Sequence, residues 1–163
     1  MEVIFRFAWE ANDDVGCNGG IGNCVADVGK DSSEPRTAVG PAHLFENLVI
    51  RDLLAYAEAN NAHVMHYRDD TGLEVDAVYQ LEDGRYALIE IKTGVNAVEK
   101  AEDNLLRFKS VIHEHNIKAT KNKDHPGVIY REPDHMIVIC ANAPMAYTTE
   151  KGIRVIPFAC LKN

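Results

Sequence analysis

The segment Tyr86-Ala87-Leu88-Ile89-Glu90-Ile91-Lys92 constrains the fold more than any other. Side chains of an extended chain alternate between the two faces of a sheet. Ala87, Ile89 and Ile91 take one face; Leu88, Glu90 and Lys92 take the other. Both faces are mostly apolar, so the spacing predicts a central strand buried on both sides. An acid and a base side by side on such a strand need a partner or a function, because unpaired buried charge is costly.

The neighbouring segments supply a partner. Leu73 to Leu81 reads as a strand, and Glu82-Asp83-Gly84 as a hairpin turn leading into Arg85 to Lys92. Asp76 stands between Val75 and Ala77, 14 positions before Glu90, with the turn about midway. Hairpin pairing therefore brings Asp76 and Glu90 onto one local surface.

Upstream, Ala42 to Asn60 has helical periodicity, begins after a first-turn proline at Pro41 and stops at Asn60-Asn61. Glu46 is anomalous there. The positions three, four, seven and eight residues on are Val49, Ile50, Leu53 and Leu54, so the carboxylate lies on an apolar stripe and points toward the core. It requires a partner such as Arg51 or Arg68, a proton, or a metal.

His63 to Tyr67 alternates as a short strand, and Arg68-Asp69-Asp70-Thr71-Gly72 is a turn. Asn96 to about His115 predicts an amphipathic helix with the stripe Ala97, Ala101, Leu105, Phe108 and Ile112. A basic, polar loop is expected over 116–126. Strands are expected at His135 to Cys140, Ala146-Tyr147 and Ile153 to Ile156, the last two joined by Glu150-Lys151-Gly152. This order predicts an α/β fold, a mixed sheet flanked by helices.

Residues 1–40 form an irregular N-terminal segment. Val3 to Trp9 suits a strand or a helical turn, and Lys30 to Arg36 a linker. The glycine-rich run 16–23 lacks the Gly-Lys-Ser/Thr of a phosphate loop, so nucleotide binding is not expected there. Cys17, Cys24, Cys140 and Cys160 form no C-x-x-C pair. Cys140 and Cys160 follow apolar runs and read as small core residues. His113 and His115 are too close on a helix to share a metal, and Asp124-His125 has no nucleophile partner; both pairs read as solvated.

The chain of 163 residues is 46% apolar, which excludes a disordered chain and suits one ordinary core. No run is long and apolar enough for a membrane helix, and the N-terminus lacks a basic start and cleavage site, so a cytoplasmic location is expected. Net charge is −8, which argues against a broad nucleic-acid surface. The charge is uneven. Residues 1–91 carry 17 acids against 6 bases, whereas residues 92–123 carry 7 bases against 4 acids. Any contact with DNA is expected from the basic 92–123 segment; a solvated helix face is the plainer account of the same charges.

Chemistry connects the four ionisable residues. Phosphodiester hydrolysis needs an activated water and neutralisation of charge on the phosphate. Carboxylates at Asp76, Glu90 and Glu46 suit a hard divalent cation, Mg²⁺ or Mn²⁺, and Lys92 suits orienting the water. A buried ion-pair cluster of Lys92 with Glu90 and Asp76 would use the same residues without catalysis.

Asp76 followed by Glu90-Ile91-Lys92, with helical Glu46 upstream, resembles the PD-(D/E)XK nuclease-like pattern. The chain further resembles the C-terminal domain of a prokaryotic family of AAA-type ATPases. The matching stretches are Leu44-Phe45-Glu46-Asn47-Leu48-Val49, Tyr67-Arg68-Asp69, Gly72-Leu73-Glu74-Val75-Asp76 and Ile89-Glu90-Ile91-Lys92. Ala146-Tyr147, Gly152 to Pro157 and Cys160-Leu161-Lys162 extend the likeness, which covers about residues 40–162. It implies a restriction-endonuclease-like domain over 41–163, with Glu46, Asp76, Glu90 and Lys92 as its catalytic set. The ATPase and winged-helix modules of that family are not in this sequence, so no ATP hydrolysis is expected, and residues 1–37 match nothing in it. Such nuclease domains often pair to cut two strands, so a homodimer fits the resemblance; a catalytically inactive interaction or dimerisation module with the same fold is the alternative.

Overall fold

A computed structural model describes residues 5–7, 40–121 and 127–161. The strand Tyr86–Lys92 (β4) lies in the middle of a mixed sheet. On one side it pairs antiparallel with Glu74–Leu81 (β3), which pairs antiparallel with Ala62–Arg68 (β2). On the other it pairs parallel with His135–Cys140 (β5), which pairs parallel with Arg154–Pro157 (β7). The two-residue Tyr147–Thr148 (β6) closes that edge antiparallel to β7, and Phe5–Phe7 (β1) adds to the free edge of β2.

Among the described residues, two helices cover the two faces. Pro41–Ala59 (α1) starts with proline in its first turn, where no backbone N–H is lost. It ends at Asn60, whose amide donates to the Tyr56 carbonyl at 2.7 Å, followed by Asn61 in the left-handed region at φ +49°. Its buried Val49, Leu53 and Ala57 meet Val64, Ala77, Ile89, Ile91 and Ile139.

Val98–Lys121 (α2) makes the crossover from β4 to β5 that a parallel pair requires. Ala101, Leu105, Phe108 and Ile112 pack on Tyr67, Val75, Leu88 and Val138. Phe108 sets its ring edge-on to Tyr67 at 4.6 Å. The expected hairpin turn forms with Gly84 at φ +81°, its N–H donating to the Leu81 carbonyl.

Two expectations are corrected, and one open choice is settled. The loop expected from residue 116 is helix as far as Lys121. Buried Ala119 continues the apolar stripe, and Asn116 bonds both backbone groups of Tyr130, so this turn has tertiary support. Lys118 and Lys121 in the last turn also complement the helix dipole. Cys140 is buried, but Cys160 is exposed, because it ends a short 3-10 turn beyond β7. Residues 5–7 resolve the open choice at the N-terminus in favour of a strand. The glycine-rich run, the linker, Cys17, Cys24 and Asp124-His125 lie outside the described residues. Among the described residues, no helix is long and apolar enough to cross a membrane.

Candidate functional site

The antiparallel register pairs Val78 with Leu88 and Ala77 with Ile89, so Asp76 and Glu90 stand one position further along. On its other edge β3 is irregular. Met65 pairs with Val78 but Tyr67 with Val75, so Asp76 and Ala77 together oppose the single residue His66. This bulge interrupts the ladder and re-aims Asp76. Its Oδ2 accepts the backbone N–H of Ile91 at 2.7 Å, taking a place a strand carbonyl would otherwise fill.

Lys92 closes the cluster. Its Nζ lies 2.6 Å from Glu90 Oε2 and 3.0 Å from Asp76 Oδ2. The other Glu90 oxygen accepts from the Asn104 amide of α2 at 2.6 Å, and the same amide also donates to the Glu74 carbonyl. Glu90 is only 3% exposed, yet both its oxygens are satisfied.

The electrostatics follow from this packing. Burial pushes the Glu90 carboxyl up and the Asp76 charge adds to it, while Lys92 and Asn104 pull against them; the net shift is upward. For Lys92 burial pulls down, but the charges and hydrogen bonds of Asp76 and Glu90 outweigh it, so the ammonium is held to higher pH than usual.

Asp76, Glu90 and Lys92 open onto a cleft of about 660 Å³ between the sheet and α2. Glu74, Lys100, Asp103, Asn104 and Arg107 also line it, with Gly72 and Ala97. Three of the four residues singled out in the sequence therefore meet. Glu46 is not among the lining residues. It sits in the first turns of α1, the helix on the opposite face, with its side chain 39% exposed and 3.6 Å from His43 Nδ1. Neither arginine considered for it takes that part: Arg51 pairs with Asp52, and Arg68 approaches Glu74 at 4.0 Å.

The donor set suits a hard cation. One oxygen of Asp76 and one of Glu90 converge on the Lys92 ammonium beside a solvent-open cleft, and Mg²⁺ is commonly held by one or two carboxylates with water completing its shell. Among the described residues no three His, Cys, Asp or Glu side chains gather to form a fuller cage. Asn104 is the site residue that sequence reasoning missed. Its only signal is a polar amide among Ala101, Leu105 and Phe108 on the buried stripe.

A mixed sheet covered on both faces, with an acid pair and a lysine beside the C-terminal end of its central strand, defines an α/β domain with a polar, ligand-accessible site. The chain belongs to the family described as Domain of unknown function (DUF4143), whose model matches residues 42–161. No curated protein and no solved structure matches the chain.

Proposed function

We propose that this is a restriction-endonuclease-like domain whose cleft hydrolyses DNA phosphodiester bonds with Mg²⁺ or Mn²⁺. The observation that carries the reading is the convergence of Asp76 and Glu90 on Lys92 at 3.0 and 2.6 Å, inside an open cleft. When bound, the cation supplies positive charge to the phosphate oxygens and acidifies the attacking water. Asp76 and Glu90 would hold it, each already oriented, Asp76 by the Ile91 N–H and Glu90 by Asn104. Lys92 exchanges its carboxylate contacts for the nucleophile and the phosphate as they enter. By its resemblance, the domain operates beside an AAA-type ATPase.

The test is cleavage of plasmid and of labelled oligonucleotides with Mg²⁺ or Mn²⁺, with EDTA as control. Asp76→Ala and Lys92→Ala are expected to abolish it. Activity surviving both substitutions would refute this reading.

A second reading, an inactive interaction or dimerisation module, is favoured by one feature. An apolar groove of about 380 Å³ lies on the α1 side, lined by Leu53, Tyr56, Tyr79, Ile89, Ile137 and Ile156 among others. It predicts an oligomer in light scattering and no heat on titration with Mn²⁺.

A further inference from the structure

We infer that Lys100 and Arg107 of α2 are the substrate-phosphate contacts of the cleft, holding a nucleic-acid backbone on either side of the phosphate presented to Asp76 and Glu90. This rests on the hydrolytic reading of the same site.

Positions 100, 104 and 107 fall on one face of a helix. Asn104, the middle one, is bonded to Glu90, so the two cations flank the acid pair along the cleft wall. Seven residues of helix advance by about 10 Å. A nucleic-acid strand carries one phosphate per about 3.4 Å of axis, so this span matches about three nucleotides and suits a polymer better than a mononucleotide.

The charges along the cleft support the same assignment. Glu74 is engaged by His66 and Arg68, and Asp103 by Lys151 at 2.8 Å. Asp76 and Glu90 share Lys92. Among the described residues, Lys100 and Arg107 enter no ion pair, so theirs are the positive charges in the cleft left without a counterion. Arg107 is also held in place. Its guanidinium donates to the Thr71 hydroxyl at 3.0 Å, and that hydroxyl donates to Asp69 Oδ1 at 2.8 Å. Asp69 Oδ1 further accepts the N–H groups of Thr71 and Leu73, which fixes the loop beneath the arginine. A positioned guanidinium with no carboxylate on it is suited to phosphate.

The experiment is fluorescence anisotropy of labelled single-stranded and duplex DNA against salt, with Ca²⁺ replacing Mg²⁺. Lys100→Ala and Arg107→Ala are each expected to weaken binding about five- to tenfold and to reduce the salt slope by about one. Arg51→Ala, an exposed arginine on α1 at the opposite face of the sheet, is expected to bind as the parent does. Circular dichroism checks that the variants fold. Parent-like affinity and slope in both variants overturn the assignment, as does a parent chain that binds no DNA. Variants that lose binding in a chain without metal-dependent cleavage keep Lys100 and Arg107 as nucleic-acid backbone contacts but remove the hydrolytic reading, and with it their role as substrate contacts.

Discussion

The Lys92 ammonium lies 2.6 Å from Glu90 Oε2, so a strand buried on both faces carries its own counterion into the site. Removing one partner of such a pair exposes the other's desolvation penalty, which mutational precedent puts at several kcal/mol. Lys92→Met should therefore cost about 3 kcal/mol in urea unfolding at pH 7. On the proposed metal-binding reading, millimolar Mn²⁺ should restore part of the loss by replacing the missing charge between Asp76 and Glu90. An unchanged midpoint would mean that the pair contributes nothing to stability.

Asn104 is expected to be as sensitive as a core residue although it is polar. Asn104→Ala withdraws the donor from Glu90 Oε1 and from the Glu74 carbonyl, a loss of about 1–3 kcal/mol. Asn104→Asp goes further by setting a second carboxylate against Glu90. Its deficit should be larger at pH 8 than at pH 5, where sharing a proton relieves the repulsion. Equal deficits at the two pH values would show that the two side chains do not meet.

Alkaline pH should unfold the domain through Tyr67. Burial, with the charge and hydrogen bond of Asp69, pushes its phenol up from 10.0 to about 12. The unfolded chain loses this proton first, so stability falls as pH rises from 10 toward 12, by about 1.4 kcal/mol for each pH step of one across that window. Lys92 acts in the same sense: its raised pKa contributes stability that is present below 10.5 and lost above. Tyr67→Phe should flatten the decline between pH 9 and 12 without abolishing it. A decline as steep as the parent's would exclude the phenol as a cause.

Glu102 is a stabilisation target. It is 7% exposed, its Oε1 has no hydrogen-bond partner among the described residues, and its Oε2 reaches Lys151 only at 3.7 Å. Replacing a poorly compensated buried charge by an apolar side chain of similar volume is often neutral or stabilising. Glu102→Met should raise stability by about 1 kcal/mol, while Lys151 keeps Asp103. A lower melting temperature would show that the carboxylate has a role in the fold.

Much of this arrangement was legible in the sequence. The period-two alternation of Tyr86–Lys92, the turn at Asp83-Gly84 and the stripe on α2 were enough to place Asp76, Glu90 and Lys92 together. Glu46 shows where periodicity stops being informative. A helical stripe tells which side faces the core, but not whether the sheet extends beneath the first turn, and there it leaves Glu46 beside His43. Asn104 depends on a contact 14 residues away, between a helix and a strand, which no local pattern encodes. The last turn of α2 was missed for a related reason: Asn116 to Lys121 is polar and basic, and its helix is supported by Tyr130 from a distant segment.

The additional residue in β3 at Asp76-Ala77 makes the site sensitive to length as well as identity. Deleting one residue there would restore a regular ladder to β2 and turn either the acid or its upstream neighbours to the opposite face. Hydrophobic content would hardly change, yet the cleft would be taken apart. Within such a scaffold, insertions and deletions belong in the loops, and the count of residues between Val75 and Val78 is as much part of the site as the carboxylate itself.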